Sequence, residues 1–461
     1  MSYTYNPFRQ QEPSVTLKSQ TIFSNFLPKW NTLTQTEKVT TLLITLTPLW
    51  WLLGWKHFFI LLAIGLITHD LRQYNKIQLK PPSIPVVALL IFCAYTLISQ
   101  YFYNAYQNTS FSPNAILAAL NTYAGPGIIL WYLQSHNIRI RWQVVAWSFS
   151  VLMLIMLLFW LVIYVGWQQT HYDPPRSLYG LVTGKSELYV PGAGNSNYLI
   201  PYFATDESFI PGFVRYVYFF PGPEALALIA GFTSLLALEL KPRVWSISLF
   251  AIALFILLTS GTRSVVIVLP LISIVRGLFS LRKSLGAWFL CLFLATLSFT
   301  TLSMPSITHY LFDTVTNTVE AVGEARADST EVRGDIYRET LDSIMQGSNR
   351  QFFGGHVTTG ETVLPGYDPA RIGSHSFWLG TLLYRSGVIG SFIFLIFWLS
   401  LIWTICRRSA QSLSICKSVF ILLTISLIVM EIEMPVMAIT ILCVVMQDKS
   451  SNSSLVGSNS G

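Results

Sequence analysis

Residues 144–165 read VVAWSFSVLMLIMLLFWLVIYV, without one charged side chain. As a helix this run is about 33 Å long, enough to cross the roughly 30 Å hydrocarbon core of a bilayer. The stretches 285–302 and 386–405 are equally apolar. Of the 461 residues, 52% are hydrophobic and only 11% charged, where a soluble domain carries about a quarter. The apolar runs decide the fold class: an all-α polytopic membrane protein whose solvent is the lipid bilayer.

Working outward from that run, spans are expected near 38–54, 57–69, 84–103, 114–133, 143–167, 221–240, 244–259, 264–280, 285–303, 387–405, 417–431 and 434–447, about twelve transmembrane helices. The net charge of +7 raises nucleic acid as a partner, but the placement of the charge argues against it. Arg72, Lys76, Lys80, Arg139, Arg141, Lys241, Arg243, Arg276, Arg282, Lys283, Arg407, Arg408 and Lys417 all fall on one side of the expected spans. That is the positive-inside pattern, so this side, with both termini, is expected to be cytoplasmic. Lys56, in a tight external hairpin, is light counter-evidence. Residues 1–37 form an expected cytoplasmic segment without the h-region and cleavage site of a signal peptide. The transmembrane domain covers 38–447, and the Ser/Asn/Gly-rich tail 448–461 has a disordered composition. Cys93, Cys291 and Cys443 lie in spans and Cys406 and Cys416 flank a cytoplasmic loop, so no disulfide framework is expected.

Two external segments, 168–220 and 304–375, are too long to be plain connections. In the second, Ser329 or Thr330 is a candidate cap for a helix running to about Gln346, with Glu331 and Asp335 near its start. At about 100° per residue, Val332, Ile336, Tyr337, Leu341 and Ile344 share an apolar face. Arg333 falls near the middle of that face and Arg338 points away. An arginine on a buried stripe needs an anionic partner, either a protein carboxylate or a ligand. Farther on, 375–405 would be about 45 Å long as one helix. A break between Gly387 and Gly390 is therefore expected, which brings Arg385 to the external surface.

Arg263 sits in SGTRS (260–264), the tip of an external hairpin, where cations are disfavoured unless useful. Guanidinium suits bidentate phosphate binding; the bland alternative is a snorkelling interfacial arginine. Arg215, in FVRY (213–216), joins it with Arg333 and Arg385 on the same side. Arg215 is equally well read as an interfacial anchor, and Arg385 better as a structural ion pair. His375 heads a membrane-proximal helix and can accept a proton near neutrality, although a loop histidine is more often a solvated or capping residue. His356 is a weaker candidate and His171 weaker still. The histidines are too scattered for a metal site. Glu431 and Glu433 could hold a divalent cation, but a solvated hairpin tip is the stronger reading.

The order GTRS (261–264), STEVRGDIYRETLDSI (329–344), FFGGH (352–356) and GSHSFWLGTLLYRSGVIG (373–390) resembles the O-antigen ligase and O-antigen polymerase superfamily. VRYVYFFPGPEALALIAGF (214–232) is similar to that family's segment before a central span. The resemblance covers roughly 213–400. It implies a C-type glycosyltransferase architecture in a bacterial inner membrane. The implied reaction moves a glycan from a polyprenyl diphosphate carrier to a hydroxyl of a glycan, lipid or protein acceptor at the periplasmic face. No cofactor and no metal are implied, and other polysaccharide-assembly membrane proteins are implied partners. Carried over by position, Arg263 and Arg333 would hold the diphosphate with Arg215 assisting, and His375 would be the base. Arg338, Arg385 and His356 are secondary candidates. Tyr189, Tyr198, Tyr202 and Trp378 could stack on sugars, although an interfacial belt explains each more simply. The sequence departs from the family at Ser376, where an asparagine is usual, and near Arg385, where an acidic residue is usual. A polymerase is favoured over a ligase. The rival classes are a multi-span transporter of a small anion and a non-catalytic scaffold.

Overall fold

The computed structural model describes residues 23–24, 27–28, 30–55, 57–110, 112–166, 173–184, 197–210, 212–280, 327–364, 369–407 and 414–447. The expected span at 285–303, the tail 448–461, and His171, Tyr189 and Cys291 lie outside the described residues.

In chain order the principal helices are α1 (Gln35–Thr45), α2 (Thr47–Leu53), α3 (Phe58–Tyr74), α4 (Ile84–Tyr106), α5 (Pro113–Ser135) and α6 (Trp142–Gly166). After a short hairpin of β1 (Tyr202–Glu207) and β2 (Val214–Tyr216) come α7 (Pro223–Ala237), α8 (Arg243–Thr259) and α9 (Arg263–Ser280). The amphipathic α10 (Ala327–Gln346) is followed by α11 (Phe377–Arg385), α12 (Ser386–Arg407), α13 (Ser414–Ser426) and α14 (Met434–Val445). Proline in the first turn starts α2, α4, α5, α7 and α14, where its missing N–H costs nothing and its fixed φ suits a helix. Among the described residues, four helical stretches are long and apolar enough to cross a membrane: α4, α5, α6 and the run Phe377–Arg407. The bent pair α2–α3 would make a fifth, and α7, α8, α13, α14 and the first part of α9 are shorter apolar helices. The chain is a helical membrane protein.

α7 is the centre of the bundle, packed against α6, α8, α9, α13 and α14. Every residue of α7 except Glu224 is buried, which is the pattern of a helix surrounded by others. Gly231 makes this possible, because a Cβ there would lie 2.8 Å from Val265 Cγ1 and 3.2 Å from Leu422 Cδ2.

The two ends of the bundle differ. At one end Arg141 Nε donates to the buried Glu37 at 2.6 Å, tying α6 to α1. Tyr132 of α5 donates to the buried Asp70 of α3 at 2.9 Å, and His136, just past α5, lies 3.2 Å from its other oxygen. Ile140–Arg141 pairs in parallel with Met446–Gln447, and Arg139 Nη1 donates to Val444 O at 3.1 Å. The opposite end holds the first turn of α7, the α8–α9 hairpin, α10, and the turn at 427–433 between α13 and α14.

The expected break in 375–405 falls at Gly387, with φ +63° and ψ −172°, a region only glycine enters at low cost. The break is also a crossing point. His356 N–H donates to Tyr384 O at 2.8 Å and Val357 N–H to Arg385 O at 2.9 Å. A Cβ at 387 would fall 2.5 Å from Phe353 O and closer still to Gly355 N. Ahead of the break, α11 is wound as a π-helix, a widened form often found beside functional sites.

Candidate functional site

Glu224, the one residue of α7 outside the core, starts the central helix on the side that carries α10. The helix dipole favours a carboxylate there. Two arginines from distant segments meet on its Oε1: Arg215 Nη2 of β2 at 3.5 Å and Arg333 Nη2 of α10 at 3.1 Å. Arg215 Nε also donates to Ser260 O at 2.8 Å, joining the strand to the hairpin that carries Arg263. Gly261, at φ +63°, closes that hairpin and Arg263 begins α9, half-buried. Arg333 reaches in the other direction to Val429 O at 3.4 Å.

The phase of α10 places Arg333 as the sequence expects. Arg333 is half-buried beside the buried Ile336 and Ile344, and Arg338 is exposed on the opposite side. Two details are corrected. The helix starts at Ala327, so Ser329 and Thr330 lie inside its first turn and cannot cap it from outside. Leu341 is 49% exposed and does not belong to the docked face. Thr340 takes that place because its hydroxyl is satisfied: it donates to Ile336 O at 2.5 Å and accepts Gly373 N–H at 2.8 Å. Tyr337 completes the docking by donating to His375 O at 3.2 Å.

His375 has a left-handed backbone, φ +59°, just ahead of Ser376, whose hydroxyl accepts Leu379 N–H as the α11 cap. The Ser374 hydroxyl donates to Arg371 O at 2.6 Å and lies 2.7 Å from His375 Nδ1. With its proton committed to Arg371, Ser374 accepts from Nδ1–H, which leaves Nε2 as the basic nitrogen. Burial, and then the Arg333 guanidinium, lower the His375 pKa below the ordinary histidine value, which favours the neutral ring.

The turn at 427–433 closes the site. Phe377 N–H donates to Leu427 O and Met430 O at 3.0 and 2.9 Å. Glu431 pairs with Arg385 Nη2 at 2.9 Å, and Arg385 also lines a cavity of about 100 Å³ with Tyr95, Ser99, Gln100, Val357 and Ser386. Glu433 is no solvated hairpin tip. Its Oε2 is buried with no hydrogen-bond partner, and burial, reinforced by Glu224 and Glu431, pushes its pKa up to about 8. The point where a side chain at Gly222 would begin is 3.6 Å from Glu224 Oε2 and 3.7 Å from Glu433 Oε1. Both carboxyl groups therefore border the same side-chain-free position.

The structure thus brings Arg215 and Arg333 together on Glu224, sets His375 within the electrostatic influence of Arg333 and Glu224, and pairs Arg385 separately with Glu431. Arg338 points elsewhere. The His356 ring stacks on Tyr384 at 4.2 Å and 4° with its Nε2 buried and unpartnered. Tyr202 is buried in the β1–β2 pair, and the Trp378 Nε1–H is committed to Thr424 O at 3.0 Å. The signal for Glu224 in the sequence is a carboxylate opening an otherwise apolar helix, PEALALIAGF at 223–232. Comparison with models of known families and with curated proteins finds no match to this chain.

Proposed function

We propose that the chain transfers a glycan from a polyprenyl diphosphate carrier to a hydroxyl acceptor on the non-cytoplasmic face of a bacterial inner membrane. In this reading the bundle has about twelve spans, both termini are cytoplasmic, and the architecture is of the C-type glycosyltransferase kind. The observation that carries the proposal is the meeting of Arg215 and Arg333 on one anionic group, within electrostatic reach of a histidine biased towards its neutral form. An arginine pair that already coordinates a carboxylate has the charge and donor geometry for a phosphate.

The acceptor oxygen attacks the anomeric carbon and forms the new glycosidic bond. The bond to the diphosphate oxygen breaks, and its electron pair leaves with the diphosphate. Arg215, Arg333 and Arg263 stabilise the charge that develops there, and His375 Nε2 takes the acceptor proton. With a polymerase the acceptor is a growing lipid-linked glycan, and with a ligase a finished lipid or protein; the polymerase is our preferred form. Arg263→Ala, Arg333→Ala and His375→Ala are each expected to lower transfer by about 10²-fold or more, whereas Arg338→Ala leaves it within about twofold. Surface polysaccharide of normal length and amount in all three of the first variants would sink the mechanism.

A further inference from the structure

Glu224 occupies the two guanidinium groups on which the proposed function depends, and it does so through a single oxygen, Oε1. A diphosphate arriving at Arg215 and Arg333 meets an ion already there, so Glu224 must either share the arginines or give way. Sharing would set a carboxylate against phosphate oxygens in a half-buried site, which electrostatic repulsion opposes. Giving way requires somewhere for a carboxylate to go. Glu433 offers that place: its Oε1 lies 3.7 Å from the point beside Gly222 that is 3.6 Å from Glu224 Oε2, and its Oε2 has no hydrogen-bond partner.

We propose, resting on the reading above, that Glu224 competes with the diphosphate for Arg215 and Arg333, and that Glu433, carrying a proton, receives the displaced Glu224 by donating its O–H to it. Glu224 thereby positions both arginines while the phosphate is away, and Glu433 sets how readily they are released. The exchange forms no covalent bond and moves no net proton to solvent. Glu433 is suited to the role because burial and its acidic neighbours keep it protonated up to about pH 8.

The charged groups around the pair fix the sign of its pH dependence. Arg215 comes from β2, Arg333 from α10, His375 from the loop before α11, and Glu431 from the same turn as Glu433, itself paired with Arg385 of α11. Below its pKa Glu433 can donate to the displaced Glu224. As the pH rises through about 8 Glu433 ionises, the two carboxylates repel, and Glu224 is pressed back onto the arginines. Diphosphate affinity therefore falls on the alkaline side.

The test uses the full chain purified in detergent, with inorganic pyrophosphate as the probe, and titrates binding calorimetrically from about pH 6 to about pH 9.5. Glu224→Gln removes the competing charge and is expected to tighten pyrophosphate by about tenfold or more. Glu433→Gln keeps an N–H donor and is expected to bind like the wild type near neutrality, without the alkaline loss. Glu224→Asp, whose shorter carboxylate grips the arginines less well, gives a second variant with the same expected direction. Pyrophosphate binding by the wild type that is unchanged or weaker in both Glu224 variants would overturn this proposal and leave the proposed function standing. Absence of pyrophosphate binding in the wild type and every variant would overturn both.

Discussion

Gly387→Ala is the most demanding test of how this end of the bundle is built. Three costs accumulate at the position. Alanine at φ +63° and ψ −172° occupies a backbone region that costs about 1–3 kcal/mol. Its Cβ would fall 2.5 Å from Phe353 O, so the segment before Gly355 must move away. That movement breaks the bonds from His356 N–H to Tyr384 O and from Val357 N–H to Arg385 O, at 2.8 and 2.9 Å, for about 1 kcal/mol each. The total is roughly 3–5 kcal/mol. Gly334→Ala is the internal control. Gly334 is exposed inside α10 with nothing within 4 Å of a new Cβ, so alanine should stabilise by about 0.5–1 kcal/mol. Thermal denaturation in detergent, followed by tryptophan fluorescence, should show the first variant melting several degrees below the wild type and the second at or slightly above it. A Gly387→Ala protein that melts with the wild type would refute the crossing at the break.

The other expectations concern single groups. In the proposed reaction His375 must be neutral to accept a proton, and its pKa lies below the ordinary histidine value. Transfer measured against pH should therefore hold through neutrality and fall only as the pH drops below the usual histidine range; Ser374→Ala, which frees Nδ1, should slow transfer several-fold and leave pyrophosphate binding alone. His356→Phe keeps the stack on Tyr384 and removes a buried unpartnered nitrogen, so melting should stay within about 1 kcal/mol of the wild type and transfer should survive. Glu37→Ala strands the Arg141 guanidinium in a mostly buried setting and should destabilise by about 3–5 kcal/mol, seen as lost yield and a lower melting temperature; an unchanged melt would refute that anchor.

The apolar runs, the hairpin at Gly261, the burial of Arg333 in preference to Arg338 and the break at Gly387 were all legible, because each depends on period, length or a glycine within a short window. The pairings were not. Arg333 and Glu224 lie 109 residues apart in the chain, and nothing local to either announces the other. Glu433 looks like a solvated turn residue in MEIEMP (430–435); its buried Oε2 and its place beside Gly222 come from a segment far off in the chain. Leu341 and Thr340 exchange places on the face of α10 for the same reason, since the Gly373 amide that satisfies Thr340 comes from another segment.

The segment 427–447, from the turn through α14 to the strand Met446–Gln447, is made after every other described element, and this gives the order of synthesis a structural meaning. Until it emerges, Arg333 lacks the Val429 carbonyl, Arg385 lacks Glu431, and the Phe377 amide lacks both of its acceptors. At the far end, Arg139 lacks Val444 and Ile140–Arg141 lack their strand partner. One short segment therefore fastens both faces of the bundle at once. A ribosome that stalls before Leu427 would release a chain in which Arg333 keeps Glu224 but Arg385 and the Phe377 amide lack these partners, the sort of product a quality-control protease can distinguish from the finished protein.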